Sequence, residues 1–586
     1  VTGRRFVAEL VASRRGLEAR ELLDRDRPVS LADAPVRLAE GEIVTVEERD
    51  RVGRVVGPCL ARAGSVRASV YRIAARHRLD PLHPPEVLAQ ARGFRRRPGT
   101  DDPALEDLTH LPFVTIDNRG SRDLDQAMHL ERLPSGGGFL ARYAIADASH
   151  YVRPGTPLFD ESLARGATFY LPGLAIPMLP RSLCEDLVSL NQGRVRRALV
   201  FEMRLERGGE CLETRLVRAR VSSLRKLSYP GVQRHYDDPA GSGMGRERWG
   251  ETLDLLREVG ELLVGRAARQ HVVQYRRSEV EITLGEGERA SCTIVSDRRL
   301  DVERYNEQVS LLCNVEGARL LADSCGLDHV QGVFRVHPSP SPEALDGFER
   351  LVEALVRRRR LLPEVWSWRR SEEPLADYLA RLPRRSRLGR ALERQARMLN
   401  DPARFEPAPA PHHAIGAPFY ARFSAPMREV VGVFTHKEAL EALGGAATAP
   451  PTAADIALRE RVIVSANRAR ARQRQLTKEA NLLALDLLLR PDLARPRSER
   501  PARRGTVLGL ERHRLRVQLD RPTVDLKVDV GDLGRRFGCA FRLDDAGAAM
   551  EPEDPHAPTF HLGDELALVT AERDPHRDRW HFDVER

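Results

Sequence analysis

The sequence predicts a multidomain α+β/α/β chain: a large mixed body, a small barrel and helical module before it, and a small β-barrel after it. Three observations predict this. At 586 residues the chain exceeds what one hydrophobic core serves, since domains hold roughly 100–200 residues. Alternating apolar runs dominate residues 105–152 and then mix with longer helical patterns as far as 485. Short alternating segments return beyond PDLARPRSERPARR (491–504), a linker rich in Pro and Arg.

Taken in order, residues 1–64 carry RRFVAELVASRRGLEARELL, which predicts an amphipathic helix, and then GEIVTVE (41–47) and GRVVGPCLA (53–61), which predict short strands around a turn. In residues 65–104, SVRASVYRIAARHRL places Val66, Val70, Ile73 and Ala74 on one helical face, with Ser65 as N-cap. This module has the layout of a helix-turn-helix, and equally that of ordinary packing helices. Residues 105–490 form the body. It opens on LPFVTIDN (111–118), AMHLERL and FLARYAIADASHYV as strands, and FEPAPAPHH (405–413) and ATAPPTAAD (447–455) read as surface loops. In residues 505–586, GTVLGLERHRLRVQLD, TVDLKVDV, DELALVTAERD and RWHFDVER give the four or five short strands of a small barrel.

Apolar residues make up 41% of the chain, enough for a substantial core, and aromatics are scarce at 5%. The net charge of +9 suits an anionic partner such as nucleic acid, though weakly for this length. Lysines occur at Lys226, Lys437, Lys478 and Lys527, and the other cations are Arg, which grips phosphate in bidentate fashion. A codon bias toward Arg accounts for most of that excess. Seven dispersed cysteines with no CxxC pair argue against a zinc ribbon or a disulfide framework and fit a reducing cytosol. The charged first 25 residues do not resemble a signal peptide, and no apolar run approaches the ~20 residues of a membrane span. The expectation is a soluble, cytoplasmic protein with no membrane partner.

The segment FVTIDNRGSRDLDQAMHLER carries the chemistry. A strand ends at Asp117, a turn with Gly120 follows, and Asp123-Leu124-Asp125-Gln126 completes the spacing D-x5-D-x-D-Q. Magnesium is a hard ion that takes oxygen ligands, and a loop folding back can bring three carboxylates to one point. Two such ions about 4 Å apart activate water and stabilise the leaving oxygen of a phosphodiester. Spacing alone leaves the alternative of a solvated Asp-rich turn.

VTIDNRGSRDLDQA resembles the opening motif of the RNB catalytic domain of the RNase II/RNase R family. The residues 143–191 (YAIADASHYVRPGTPLFDESLARGATFYLPGLAIPMLPRSLCEDLVSLN), YNEQVSLLCNVEGARLL (305–321) with Glu307 and Asn314, FRVHPSP (334–340) and YARFSAPMREVVGVFTH (420–436) resemble further blocks of that domain, in the family's order. The resemblance implies a processive 3′-to-5′ exoribonuclease that acts on single-stranded RNA as a monomer and releases nucleoside 5′-monophosphates. Magnesium is the implied cofactor, with manganese able to take its place. Asp117, Asp123 and Asp125 match the first three of four acidic residues at the metal site, with Asp125 the most catalytically demanding. The fourth position is Gln126, whose carbonyl oxygen can still face an ion but brings no charge.

The resemblance further implies that Tyr170 stacks on the terminal base and that Arg428 neutralises charge at the scissile phosphate. Glu429 stands where the family has a basic residue, and Val430 and Gly432 where it has an aromatic residue and Asp. His436, Arg335 and His337 match positions that fit either the RNA channel or local structural pairing. On the helix carrying SANRARARQRQLTKEA (465–480), Arg468 and Arg472 share one face and Arg470 and Arg474 another. The first pair is the candidate RNA-channel lining, with a solvated face an equal reading. The last barrel resembles the family's OB-fold RNA-binding module, with Phe537, Phe541, Phe560, Trp580 and Phe582 as barrel fillers or stacking surfaces. The first 64 residues suggest a single reduced cold-shock-like barrel. Two other functions stay open: a catalytically weakened RNA-binding protein, and a nucleic-acid-binding regulator acting through residues 65–104.

Overall fold

The N-terminal strands close on themselves. This computed structural model describes residues 3–14, 16–24, 26–32, 38–273, 279–284, 292–297, 299–325, 330–383, 385–443 and 450–585. Strands Arg4–Ser13, Gly16–Glu21, Pro28–Leu31, Ile43–Arg49 and Val52–Val55 form a closed barrel, in which the fourth strand returns to the first. Phe6, Ala8, Leu10, Ala19, Val29, Val44 and Val46 fill it. The helix expected near the start is therefore two strands, with Ala8 opposite Glu21 and Ser13 opposite Gly16. Phe6, Ala8 and Leu10 recur at a period of two, and Gly16 takes φ +114°, which suits a turn and not a helix interior. Pairing with Ile43–Arg49, some 40 residues on, decides between the two readings.

Helices Val66–Arg76 and Pro85–Arg96 follow. Ser65 caps the first, its Oγ accepting from Ala68 N at 3.2 Å. Val70, Tyr71 and Ile73 pack against Phe169, Leu171, Ile176, Ala469 and Leu476. Val87 and Ala91 of the second helix enter the central core. The first helix thus buries its apolar face between the barrel and the body, and the second buries Val87 and Ala91 while Leu88 stays exposed.

The body is built on a six-stranded sheet. Its order is Val195–Leu205, Phe139–Ala146, Gln126–Arg132, Phe113–Asp117, Cys211–Ser228 and Glu106–Asp107. The 18-residue strand Cys211–Ser228 pairs antiparallel with Val195–Leu205 and, further along, parallel with Phe113–Asp117, so the sheet curls back on itself. Alternation sorts the side chains onto two faces. Phe113, Leu124, Ala127, Ala144 and Val200 pack toward Leu163, Met178, Met427 and Val431. Val114, Met128, Tyr143, Ile145 and Phe201 pack toward Leu256, Val309, Cys313 and Phe423. Residues 420–428 therefore pass from one face to the other.

A 41-residue helix, Ala453–Leu493, leads from the body to the C-terminal unit. A reciprocal Thr452–Asp455 capping box starts it, so the loop expected over 447–455 ends at Thr452; residues 447–449 lie outside the described residues. In the 405–413 stretch Pro407–Pro409 is exposed as expected, but His412 is buried. The 491–504 stretch is pinned: buried Asp492 accepts from Arg503 Nη2 at 3.0 Å and Thr570 Oγ1 at 2.8 Å. Beyond it, strands Arg503–Glu511, Arg514–Leu519, Asp525–Asp529, Glu565–Asp574 and Arg579–Glu585 make an antiparallel sheet. Its two edge strands meet through an Arg579–Asp529 ion pair at 3.0 Å, with helix Val530–Phe537 alongside, in the manner of a partly open OB barrel. Phe541, Phe560, Trp580 and Phe582 are buried fillers.

One buried ion pair ties the sheet to its surroundings. Arg197 and Asp147 are both fully buried, with Arg197 Nε donating to Asp147 Oδ2 at 3.2 Å and Nη1 to Asp102 Oδ2 at 3.2 Å. Asp147 also accepts from Ser149 Oγ at 2.9 Å and His150 N at 3.1 Å. Removing one partner strands a buried charge. Arg197→Ala is expected to lose about 3–5 kcal/mol of stability in urea denaturation.

Candidate active site

The site forms where the strand ending at Asp117 and the strand starting at Gln126 meet residues 424–430. Asp117 Oδ1 accepts from Asn118 N at 2.7 Å and Ser121 Oγ at 2.9 Å, which holds the turn. The Leu124 backbone N donates to Ser189 Oγ at 2.9 Å, and Ser189 Oγ donates to Arg122 O at 2.7 Å. These bonds fix Asp123 and Asp125 on either side of a buried leucine.

Asp125 is 2% exposed. Its Oδ1 accepts from Met427 N at 3.0 Å and its Oδ2 from Arg428 Nε at 2.6 Å. Burial pushes this carboxyl up to about 6, against the pull of Arg428 and the Met427 amide. Burial also pushes the Asp123 carboxyl up; Arg428 pulls it back, and Asp117 and Glu185 push it further. Arg428 thus sits among all three carboxylates, and Asp125, ahead of Asp123 and Asp117, holds its guanidinium charged. Among the described residues, no set of three His, Cys, Asp or Glu side chains lies close enough together to hold a metal ion. Carboxylate oxygens are the donors a hard divalent cation takes; beyond burial, Asp117 and Glu185 push the Asp123 carboxyl up and Asp123 pushes Asp125 up.

Gln126 does not join them. Its Nε2 donates to Ser424 O and its Oε1 accepts from the Tyr143 hydroxyl. Successive residues of a strand point to opposite faces, so Asp125 faces Arg428 while Gln126 faces the Phe423 side of the sheet. This corrects the expectation that its carbonyl oxygen faces an ion.

Tyr170 reaches the site from the short strand Phe169–Leu171. Its ring is half-exposed at 48%, while its phenol end dips in beside Arg428, Asp123 and Asp125, and burial pushes the phenol up to about 12. Gln473 holds it by both backbone atoms: Tyr170 N donates to Oε1 at 3.0 Å, and Nε2 donates to Tyr170 O at 2.9 Å. Thr168 N donates to Arg428 O at 2.8 Å and Val430 N to Gly166 O at 3.0 Å, so the two segments are fixed together. Gly166, at φ +77°, permits this, since a Cβ there would meet Ser465 O at 2.8 Å.

The other expected residues lie elsewhere. His436 is fully buried, its Nε2 2.9 Å from Phe423 O and its ring stacked on Phe423, so it belongs to the core and not to an RNA path. Arg468 donates to Ala164 O at 3.1 Å, and Arg472 lies 6.0 Å from the Phe169 ring, so both pack on the segment leading to Tyr170. Arg335 and His337 belong to a separate cluster with Arg470 and His412. Glu307 pairs with Arg299 at 2.5 Å.

Asn314, which the sequence marked only as a match to the family helix, acts through its contacts. Its Nδ2 donates to Tyr420 Oη at 3.1 Å and Ser424 Oγ at 2.9 Å, and its Oδ1 accepts from Phe423 N at 2.8 Å and Ser424 N at 3.0 Å. It clamps the segment that presents Arg428.

If Gln126 is a clamp and not a ligand, removing its amide strands the Ser424 carbonyl. Gln126→Leu is expected to cost about 1–3 kcal/mol in urea denaturation while leaving calorimetric manganese binding unchanged.

Residues 105–442 match the RNB domain family. The chain is 29% identical to Exoribonuclease 2 of Cronobacter sakazakii (strain ATCC BAA-894) over 367 residues, which are 61% of this chain and 54% of that protein. It is likewise 29% identical to Ribonuclease R of Escherichia coli (strain K12) over 366 residues, 62% of this chain and 43% of that protein. It spans about half the length of the curated relatives it matches. Its fold is similar to Mycoplasma genitalium RNase R in complex with ribose methylated single-stranded RNA, with a TM-score of 0.77 and 17% identity, covering 99% of this chain and 89% of that one. It is also similar to yeast Ssd1, a pseudonuclease, with a TM-score of 0.61 and 13% identity, covering 94% and 68%. No helix among the described residues is long and apolar enough to cross a membrane. The match over 105–442, more than half of the chain, together with the ordered motifs around Asp125, makes this chain a member of the RNB domain family.

Proposed function

We propose that the chain is a 3′-to-5′ exoribonuclease that degrades single-stranded RNA processively to nucleoside 5′-monophosphates. The observation that carries this is the set Asp125, Arg428 and Tyr170: a buried carboxylate, a guanidinium on it, and a half-exposed ring beside both. The Tyr170 ring offers its face to the terminal base, which any base can use. Arg428 is tied to Asp125 through Nε, and its guanidinium, beside the Tyr170 phenol, would donate to a phosphoryl oxygen as charge builds there. Asp117, Asp123 and Asp125 would hold magnesium, or manganese in its place, which when bound supplies an activated water. The names of the relatives, Exoribonuclease 2 and Ribonuclease R, support the same reading.

A second reading is an RNA-binding protein without catalysis. Gln126 faces away from the carboxylates, Asp125 is occupied by Arg428, and the Ssd1 pseudonuclease shares the fold. A 5′-labelled single-stranded RNA with magnesium separates the two. The nuclease gives a ladder shortening from the 3′ end and nucleoside 5′-monophosphates; full-length RNA that stays bound and uncut favours the second reading. Asp125→Asn is expected to abolish cleavage and retain RNA binding, and Arg428→Met to lower kcat by about 10²–10³-fold.

Asp125 must be ionised to act. Its carboxyl is raised to about 6, so kcat/KM is expected to fall as pH drops through about 6. More magnesium should move this limb to lower pH, because ion and proton compete for the same oxygens. A profile flat from pH 5 to 8 would remove Asp125 from the mechanism.

A further inference from the structure

Beside the carboxylate site, positive charge is gathered with too little to balance it. Arg335 lies in the short strand Phe334–Val336, its backbone N donating to Tyr420 O at 2.7 Å. Its charged neighbours are Arg470, from the long helix, Arg422 and Glu429. Glu429 faces Arg422, Arg335 and Arg470 together and is paired with Arg422 at 3.1 Å. Three guanidiniums around one carboxylate leave two positive charges in excess among the described residues. Arg335 and Arg470 each leave a buried Nε with no partner among these residues.

His412 lies against the same group. It is 4% exposed, and neither ring nitrogen has a partner among the described residues. Its ring stacks on His337 at 5.2 Å, and His337 lies parallel to His413 at 6.3 Å. Burial, and then Arg335 and His337, push His412 down to about 3, so its ring is neutral and holds one N–H to donate. Burial, and then Arg470, push Arg335 down to about 10. Each unmade buried hydrogen bond costs the fold stability, and the like charges add to that cost. A ligand that accepts several hydrogen bonds and carries two negative charges relieves both.

A phosphomonoester dianion has that charge and those acceptors, and arginine meets it in bidentate geometry. We propose that Arg335, Arg422, Arg470 and His412 form a phosphate site that takes the 5′-phosphate of a nucleoside monophosphate. The assignment rests on the nuclease reading, in which such a molecule is the product released beside Arg428. Glu429, the residue next to Arg428, is the internal anion that holds Arg422 when the phosphate is absent.

Calorimetric titration of the full chain in EDTA tests the site without cleavage. The ligands are inorganic phosphate, adenosine 5′-monophosphate and a 5′-hydroxyl RNA oligonucleotide. Inorganic phosphate and the monophosphate are expected to bind saturably, and Arg470→Gln to weaken both by about tenfold or more. Glu429→Gln removes the competing carboxylate and is expected to tighten both, an effect of opposite sign that a misfolded variant does not give. The absence of saturable phosphate binding, or binding that Arg470→Gln leaves unchanged, overturns the site. Weakening confined to the oligonucleotide overturns the mononucleotide assignment and gives these arginines to the RNA backbone. A chain that cuts no RNA yet binds phosphate through Arg470 loses the nuclease reading and keeps the site.

Discussion

The site depends on the carboxylate of Asp125. Its two oxygens reach 302 and 303 residues along the chain, to the Met427 amide and the Arg428 guanidinium. A carboxylate this buried has few ways to satisfy its oxygens, so the pair fixes the strand to the 427–428 segment. Everything near it is arranged to hold that segment still. Asn314 uses all of its amide capacity on Tyr420, Phe423 and Ser424. Gln126 reaches Ser424 from the sheet. Gly166 and Thr168 pair with residues 428–430 from the other side.

The same arrangement sets the electrostatics. Arg428 offsets the charge of Asp125 first and of Asp123 and Asp117 less. Burial still wins at Asp125, whose carboxyl is held near 6. An incoming divalent ion would meet a site already partly neutralised by a guanidinium. Further along the segment the balance reverses: Glu429 faces Arg422, Arg335 and Arg470, and positive charge is in excess.

Much of the secondary structure was legible locally. The helix capped by Ser65, the strand Phe113–Asp117 and the strands of the C-terminal unit carried their own periodicity and caps. The first 23 residues did not, because Phe6, Val7, Ala8 and Leu10 fit a helical stripe and a strand alike, and only the ladder to Ile43–Arg49 separates the two. In the arginine run, helical spacing separated the faces but not what each face meets. Arg468, Arg470 and Arg472 lie on one helix, yet Arg468 packs on Ala164, Arg472 on Phe169 and Arg470 against Arg335.

By itself the sequence pointed to the family and the order of the units, because ordered motifs and local periodicity are read without tertiary contacts; Asp117, Asp123, Asp125, Tyr170 and Arg428 came from it as candidates, through the family resemblance. Tertiary structure alone decided how each is used. Adjacent residues of a strand point to opposite faces, so Asp125 enters the site while Gln126 braces its far side. His436 has the chemistry of a ligand but lies wholly inside the core, stacked on Phe423. Which face a side chain occupies, and what covers it, depends on partners hundreds of residues away, and no local pattern encodes them.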